Sequence, residues 1–214
     1  MIVTKNFTFI HTSRTGGSFT THIMKNFFPD FIELEYHLPI SKYQGKGPFV
    51  GTIRNPFDWY VSAFHFYRAT GHPLMHGVQG FDEGLRLMLG IKGTEKQRYL
   101  INYDWSKSPL PNLTSQDFFE YPPAMGYYSW LVDRMTGTDT HKVRFMRFES
   151  LREDLICVFN SYGTLSEHQE SLIRETPNIN GTPRGAYREY YTKELIGLVY
   201  EADKYILNKF GYEF

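Results

Sequence analysis

Two segments of this chain carry residues whose types and spacing suit them to hold an anion. The first is His11-Thr12-Ser13-Arg14-Thr15-Gly16-Gly17-Ser18, between an apolar run at 7–10 and a helical pattern that begins at Ser18. Its paired glycines let the backbone approach a ligand and take positive φ where the turn needs it. A helix that starts there presents unpaired N–H groups and the positive end of its dipole. Thr15, Ser18 and Thr20 add hydroxyls, and Arg14 adds a forked cation suited to phosphate or sulfate oxygens. No Gly-Lys-Ser/Thr closes the loop, so the magnesium ligand of a nucleoside-triphosphate loop is lacking and no catalytic metal is expected. The plainer alternative is a tight strand-to-helix turn with a surface arginine.

The second segment, residues 50–64, reads Val-Gly-Thr-Ile-Arg-Asn-Pro-Phe-Asp-Trp-Tyr-Val-Ser-Ala-Phe. Arg54 ends an apolar strand pattern, and Ser62 lies eight residues on, inside a helix that Pro56 can open. An arginine at a strand tip and a serine on the next helix can grip one phosphate from two sides. The alternative pairs Arg54 with Asp58 and leaves Ser62 facing solvent.

The elements that would position these groups follow from periodicity. Strands are expected at 7–10, 31–36, 48–53 and 142–148, and the run at 48–53 has the continuous apolar character of a strand buried on both faces. Helices are expected at 18–28, from 56 to about 71, at 81–89, 94–99, 124–135 and 150–162, and as one long amphipathic helix over 192–210. Thr94 with Gln97 and Ser166 with Gln169 have capping-box spacing, and the second pair opens a short helix. This alternation predicts an α/β fold, three layers built on a central, mostly parallel sheet flanked by helices, with ligands outside the carboxyl ends of the strands. The 214 residues read as one domain over 1–214 with a less regular insertion on the acceptor side at about 71–123.

Taken together, the two anion segments resemble the sulfotransferase superfamily. The first resembles its 5′-phosphosulfate loop and the second its 3′-phosphate signature, Arg-Asp-Pro followed by a Val-Ser stretch. Phe145-Met146-Arg147-Phe148-Glu149-Ser150-Leu151 is similar to the family's strand-to-helix Arg-Tyr-Glu-Asp-Leu segment, and 178–214 to the C-terminal part of the carbohydrate sulfotransferases. The insertion is not covered. The resemblance implies a P-loop-like fold and the cofactor adenosine 3′-phosphate 5′-phosphosulfate (PAPS), leaving 3′-phosphoadenosine 5′-phosphate after transfer to an acceptor hydroxyl. It assigns Ser13, Arg14, Thr15, Gly16, Gly17, Ser18 and Phe19 to the phosphosulfate, and Arg54 with Ser62 to the 3′-phosphate. Arg184 falls in the segment matching the loop that closes over the nucleotide. Arg14 stands where the family has a catalytic lysine; it keeps the charge but does not readily donate a proton.

For the base that takes the acceptor proton, His37 is preferred, because it follows the second expected strand and an imidazole titrates near neutrality. Glu33 and Glu35 are the runners-up. His11 is expected to orient the turn, and His65, His72 and His76 show no metal spacing. Trp59, Tyr67, Trp105, Tyr127, Tyr128 and Trp130 form either a platform for a saccharide or aromatic acceptor, or core. The formal net charge of zero disfavours a nucleic-acid or anionic-membrane partner. One cysteine, Cys157, excludes an internal disulfide, and with no basic leader or long apolar stretch a cytoplasmic protein is expected. Two other readings stay open: a non-catalytic module that binds 3′-phosphoadenosine nucleotides, and a small-molecule kinase, which would need magnesium and a triphosphate.

Overall fold

The apolar start of the chain folds as a hairpin. In this computed structural model, which describes residues 1–35, 37–89 and 125–214, β1 (Ile2–Val3) and β2 (Thr8–Ile10) pair antiparallel with Ile2 opposite Phe9. The Thr4 hydroxyl closes the turn by donating to the Phe7 carbonyl at 3.0 Å and accepting the Phe7 N–H at 3.1 Å. The strand expected at 31–36 shrinks to β3 (Ile32–Glu33), an exposed edge strand antiparallel to β1. β4 (Phe49–Ile53) and β5 (Val143–Arg147) add in parallel, giving a five-stranded, mostly parallel sheet in the order β3-β1-β2-β4-β5. The protein is thus a mixed α/β structure.

The chain divides into two compact bodies, Met1–Arg54 with Val132–Gly181, and Asn55–Leu131 with Thr182–Phe214. The whole sheet lies in the first. Alternation along its strands sends side chains to two separate clusters. Phe9 and Val50 pack with Ile23 of α1 (Gly17–Phe27) and Phe159 of α5 (Leu151–Tyr162). Ile10 and Phe49 instead join Ile40 and Met135. This two-sided burial is what the unbroken apolar run of β4 called for. The Ser166–Gln169 capping box forms with both of its bonds and opens α6 (Glu167–Glu175).

The second body holds α2 (Pro56–Ala69), α3 (Phe81–Met88), α7 (Lys193–Ala202) and α8 (Lys204–Phe210); α4 (Tyr127–Thr136) contributes residues to both bodies. Pro56 occupies the first turn of α2, and the Asn55 side chain caps that helix by accepting the Phe57 N–H at 3.0 Å. The single long helix expected at 192–210 is broken at Asp203. The Asp203 carboxylate turns inward, fully buried, to accept the Tyr60 hydroxyl at 2.6 Å and the Ser129 N–H at 3.0 Å. Satisfying a buried carboxylate outweighs one continuous helical turn. The expected helix at 94–99 lies outside the described residues.

Candidate functional site

The loop before α1 is built around two glycines with different duties. Gly16 sits at the N-cap of α1 with φ 92°, a conformation costly for any side chain that carries a Cβ. Gly17 makes room: a Cβ there would lie 1.7 Å from the His11 ring, which rests against the first turn of the helix. No side chain caps α1, and its first turn holds no acidic residue. The helix therefore offers its N-terminal N–H groups and dipole without a built-in anion to satisfy them.

Among the described residues, three that are not glycine have positive φ: Arg14 (61°), His37 (59°) and Asn180 (58°). All three belong to this loop or bond to it. Arg14 is part of it, His37 Nδ1 lies 2.7 Å from the His11 carbonyl at its start, and Asn180 Nδ2 donates to Ser18 Oγ at 3.1 Å at its end. Left-handed backbone at a residue other than glycine costs on the order of 1 kcal/mol, and such strain gathers where geometry serves a site. Sequence reasoning missed Asn180; the Asn-Gly pair at 180–181 was the available signal, since asparagine is among the residues other than glycine that adopt this conformation most readily.

Arg54 joins the same assembly. It is 5% exposed, its Nη1 donates to the Arg14 carbonyl at 3.0 Å, and its guanidinium carbon lies 3.8 Å from the centre of the Phe148 ring. Stacking on an aromatic face and binding a carbonyl together hold a buried guanidinium rigid while it keeps its charge.

Several expected contributors have other work. The Thr15 hydroxyl, fully buried, donates to the Thr12 carbonyl at 2.8 Å and lies 2.6 Å from Thr52 Oγ, so it ties the loop to β4. The Thr20 hydroxyl bonds back to the Gly16 carbonyl at 3.2 Å. The Phe19 ring is core beneath the sheet, leaving only its backbone for a ligand. Ser18 keeps a half-buried hydroxyl, and the Thr12 hydroxyl, 1% exposed, has no hydrogen-bond partner. Arg14, Ser18, Arg54 and the N–H groups of α1 are donors of the kinds that hold a phosphate or sulfate group.

His37 is 9% exposed, and burial, opposed by its bond to the His11 carbonyl, lowers its pKa to about 4. A carbonyl can only accept, so Nδ1 carries the proton and the lone pair is on Nε2. His11, its ring 4.9 Å from that of His37, is also pushed well below the usual histidine range, by burial first. Of the runners-up, Glu33 is exposed and pairs with Lys25 at 2.9 Å, and Glu35 is exposed, its backbone carbonyl receiving the Met1 ammonium at 2.9 Å.

In the second body, Ser62 is 2% exposed on α2. Arg184 pairs with Asp58 at one wall of a cleft of about 440 Å³ lined also by Gly185, Ala186, Tyr187 and Arg188. The aromatic residues are core rather than a platform. Trp59, Tyr67, Tyr127 and Tyr128 are fully buried, Trp59 stacks on Tyr128 at 4.6 Å, and Trp130 is 8% exposed. Trp105 lies outside the described residues.

Among the described residues no group of three His, Cys, Asp or Glu side chains could hold a metal, and no helix is long and apolar enough to cross a membrane. No family model, curated protein or solved structure matches this chain.

Proposed function

We propose that this chain is a sulfotransferase that binds PAPS and acts on an acceptor hydroxyl, a saccharide by its resemblance to the carbohydrate branch. The reading takes in a three-layer, P-loop-like arrangement and a cytoplasmic location. The observation that carries it is the convergence of left-handed Arg14, His37 and Asn180 on the uncapped start of α1. Strain spent at all three places on one anion-suited loop is hard to account for as a simple turn.

When bound, the nucleotide supplies the sulfuryl group. Arg14, Arg54, Ser18 and the N–H groups of α1 hold anionic oxygens and offset negative charge with fixed donors. Ser62 and Arg184 are assigned to the nucleotide by resemblance alone. His37 stays neutral at physiological pH, and its Nε2 takes the acceptor proton. Arg14 serves as a charge and not as a proton donor.

One alternative has support of its own. A non-catalytic nucleotide-binding module is favoured by Arg14 in place of lysine and by the weak basicity of His37. Calorimetric titration with adenosine 3′,5′-bisphosphate, set against ATP with magnesium, tests the shared cofactor reading. Metal-independent bisphosphate binding, weakened at least tenfold in Arg54→Ala, is expected. Binding of ATP with magnesium alone would refute it. Arg14→Lys then separates enzyme from binder: a large gain in turnover at unchanged bisphosphate affinity favours an impaired or lost transferase site.

A further inference from the structure

The segment that lines the cleft of the second body is held by one face of α2. Asp58 and His65 are seven residues apart, nearly two helical turns, and so lie one above the other. Asp58 takes Arg184, and His65 Nε2 lies 3.0 Å from the Tyr190 hydroxyl, whose oxygen accepts the Gly185 N–H at 3.4 Å. The Tyr191 hydroxyl donates to the Phe57 carbonyl at 2.9 Å, and the Tyr190 and Tyr191 rings both meet Phe81 of α3 edge-on.

We propose that His65 and Tyr190 are positioning residues: through the Tyr190 oxygen they clasp Gly185, and with it the arginine-bearing segment 184–188, to α2, and the clasp responds to pH. With His65 neutral, Nε2 accepts the Tyr190 proton and leaves the oxygen's lone pairs for Gly185. Protonation reverses that bond. The new Nε2–H competes with the Gly185 N–H for the same oxygen, and a second cation faces Arg184.

The surroundings agree with a neutral resting state. Burial first, then Arg184 and Arg68, lower the His65 pKa. On α3, Asp82 pairs with Arg86 and Glu83 accepts the Gln79 N–H, and on α7 Glu194 pairs with Arg86. On the 3-10 turn Tyr187–Tyr190, Arg188 lies over the Tyr187 and Phe214 rings, and the Glu189 carboxylate sits beside Gly185, where an added Cβ would be 2.5 Å from its Oε2. His72, at the end of α2, is buried with its pKa lowered to about 3 and stays neutral over the same range. What the clasp does for nucleotide binding rests on the proposed function; the clasp itself does not.

Amide hydrogen exchange at Gly185, followed by NMR from neutral to mildly acid pH alongside the His65 ring signals, decides the matter. Gly185 exchange, corrected for intrinsic rate, is expected to rise about fivefold as His65 titrates, the factor for one hydrogen bond of ordinary net strength. His65→Gln keeps an acceptor that does not titrate and should flatten the response. Tyr190→Phe should leave Gly185 in fast exchange throughout. Gly185 exchange in the unaltered protein that ignores the His65 titration, or that Tyr190→Phe leaves unchanged, overturns the proposal. Bisphosphate affinity that weakens on acidification in the unaltered protein and not in His65→Gln extends the clasp to the ligand. Absence of bisphosphate binding would count against the proposed function while the exchange result still judges the clasp.

Discussion

Acidification should destabilise this protein steeply, and buried histidines set the size of the effect. His11, His37 and His72 are 4%, 9% and 1% exposed. Burial is the main cause that lowers all three, to about 4 for His37 and about 3 for His72 from an ordinary 6.5. The unfolded chain therefore takes up protons near pH 6.5 while the folded chain does not. The stability these groups confer is present above pH 6.5 and is lost as pH falls toward the folded values. Each such histidine costs up to about 1.4 kcal/mol per pH unit; from about pH 7 to about pH 5 that integrates to about 1.8 kcal/mol for His37 and the same for His72. His11 adds in the same direction. Asp203, raised by burial, works the other way, since its folded state gains the proton first. A combined loss near 4 kcal/mol is a large part of a typical stability of about 5–15 kcal/mol. Urea unfolding followed by tryptophan fluorescence at the two pH values measures it. His72→Asn keeps an acceptor for the Leu74 N–H, now 3.2 Å from His72 Nδ1, and should remove about 1.8 kcal/mol of the drop whatever it does to absolute stability. An unchanged drop in His72→Asn, or a drop below about 1 kcal/mol in the unaltered protein, would refute the reasoning.

Three further outcomes follow from contacts already described. Gly17→Ala drives a methyl group into the buried His11 ring and should cost about 3 kcal/mol or more in urea unfolding, with loss of bisphosphate binding. Thr15→Val should lower stability by about 1–2 kcal/mol and spare bisphosphate affinity, because its hydroxyl serves Thr12 and Thr52; Ser18→Ala should do the reverse in the same two assays. Asp203→Asn keeps an oxygen acceptor for only one of the two donors and should cost less than Asp203→Ala, which strands both the Tyr60 hydroxyl and the Ser129 N–H and should cost about 2–4 kcal/mol, both read by thermal or urea unfolding.

Much of the fold was legible because it depends on patterns that local physics enforces. The continuous apolar run of β4, Pro56 at the start of α2 and the Ser166–Gln169 box each have one good structural solution, and each took it. The errors came where a side chain answers to a distant partner. Val199 and Ile206 lie on the same periodic stripe, so the C-terminal pattern reads as one helix. Asp203 falls on that stripe at a core-facing position, four residues after Val199, and a charged residue there was the overlooked sign of a break. β3 failed for the opposite reason. The alternation at 31–36 is real, but with Ile32 57% exposed the strand has too little to bury to extend beyond two residues.

For the candidate site, residue types were readable and backbone conformation was not. A hydroxyl looks like a ligand donor in sequence whether it faces a ligand or, as with Thr15, another strand; only packing separates the two. The same limit applied in reverse to Asn180, which carries no charge and lies far along the chain, yet reaches Ser18. Its left-handed backbone matches those of Arg14 and His37, and no periodicity or composition encodes that agreement. A residue forced to positive φ must be held there by its neighbours. Three bonds do the holding: Arg54 grips the Arg14 carbonyl, the His11 carbonyl takes His37, and Ser18 takes Asn180. Removing any one of these bonds should relax its residue toward ordinary φ, so the loop's shape depends on all three and its anion affinity should fall before its fold does.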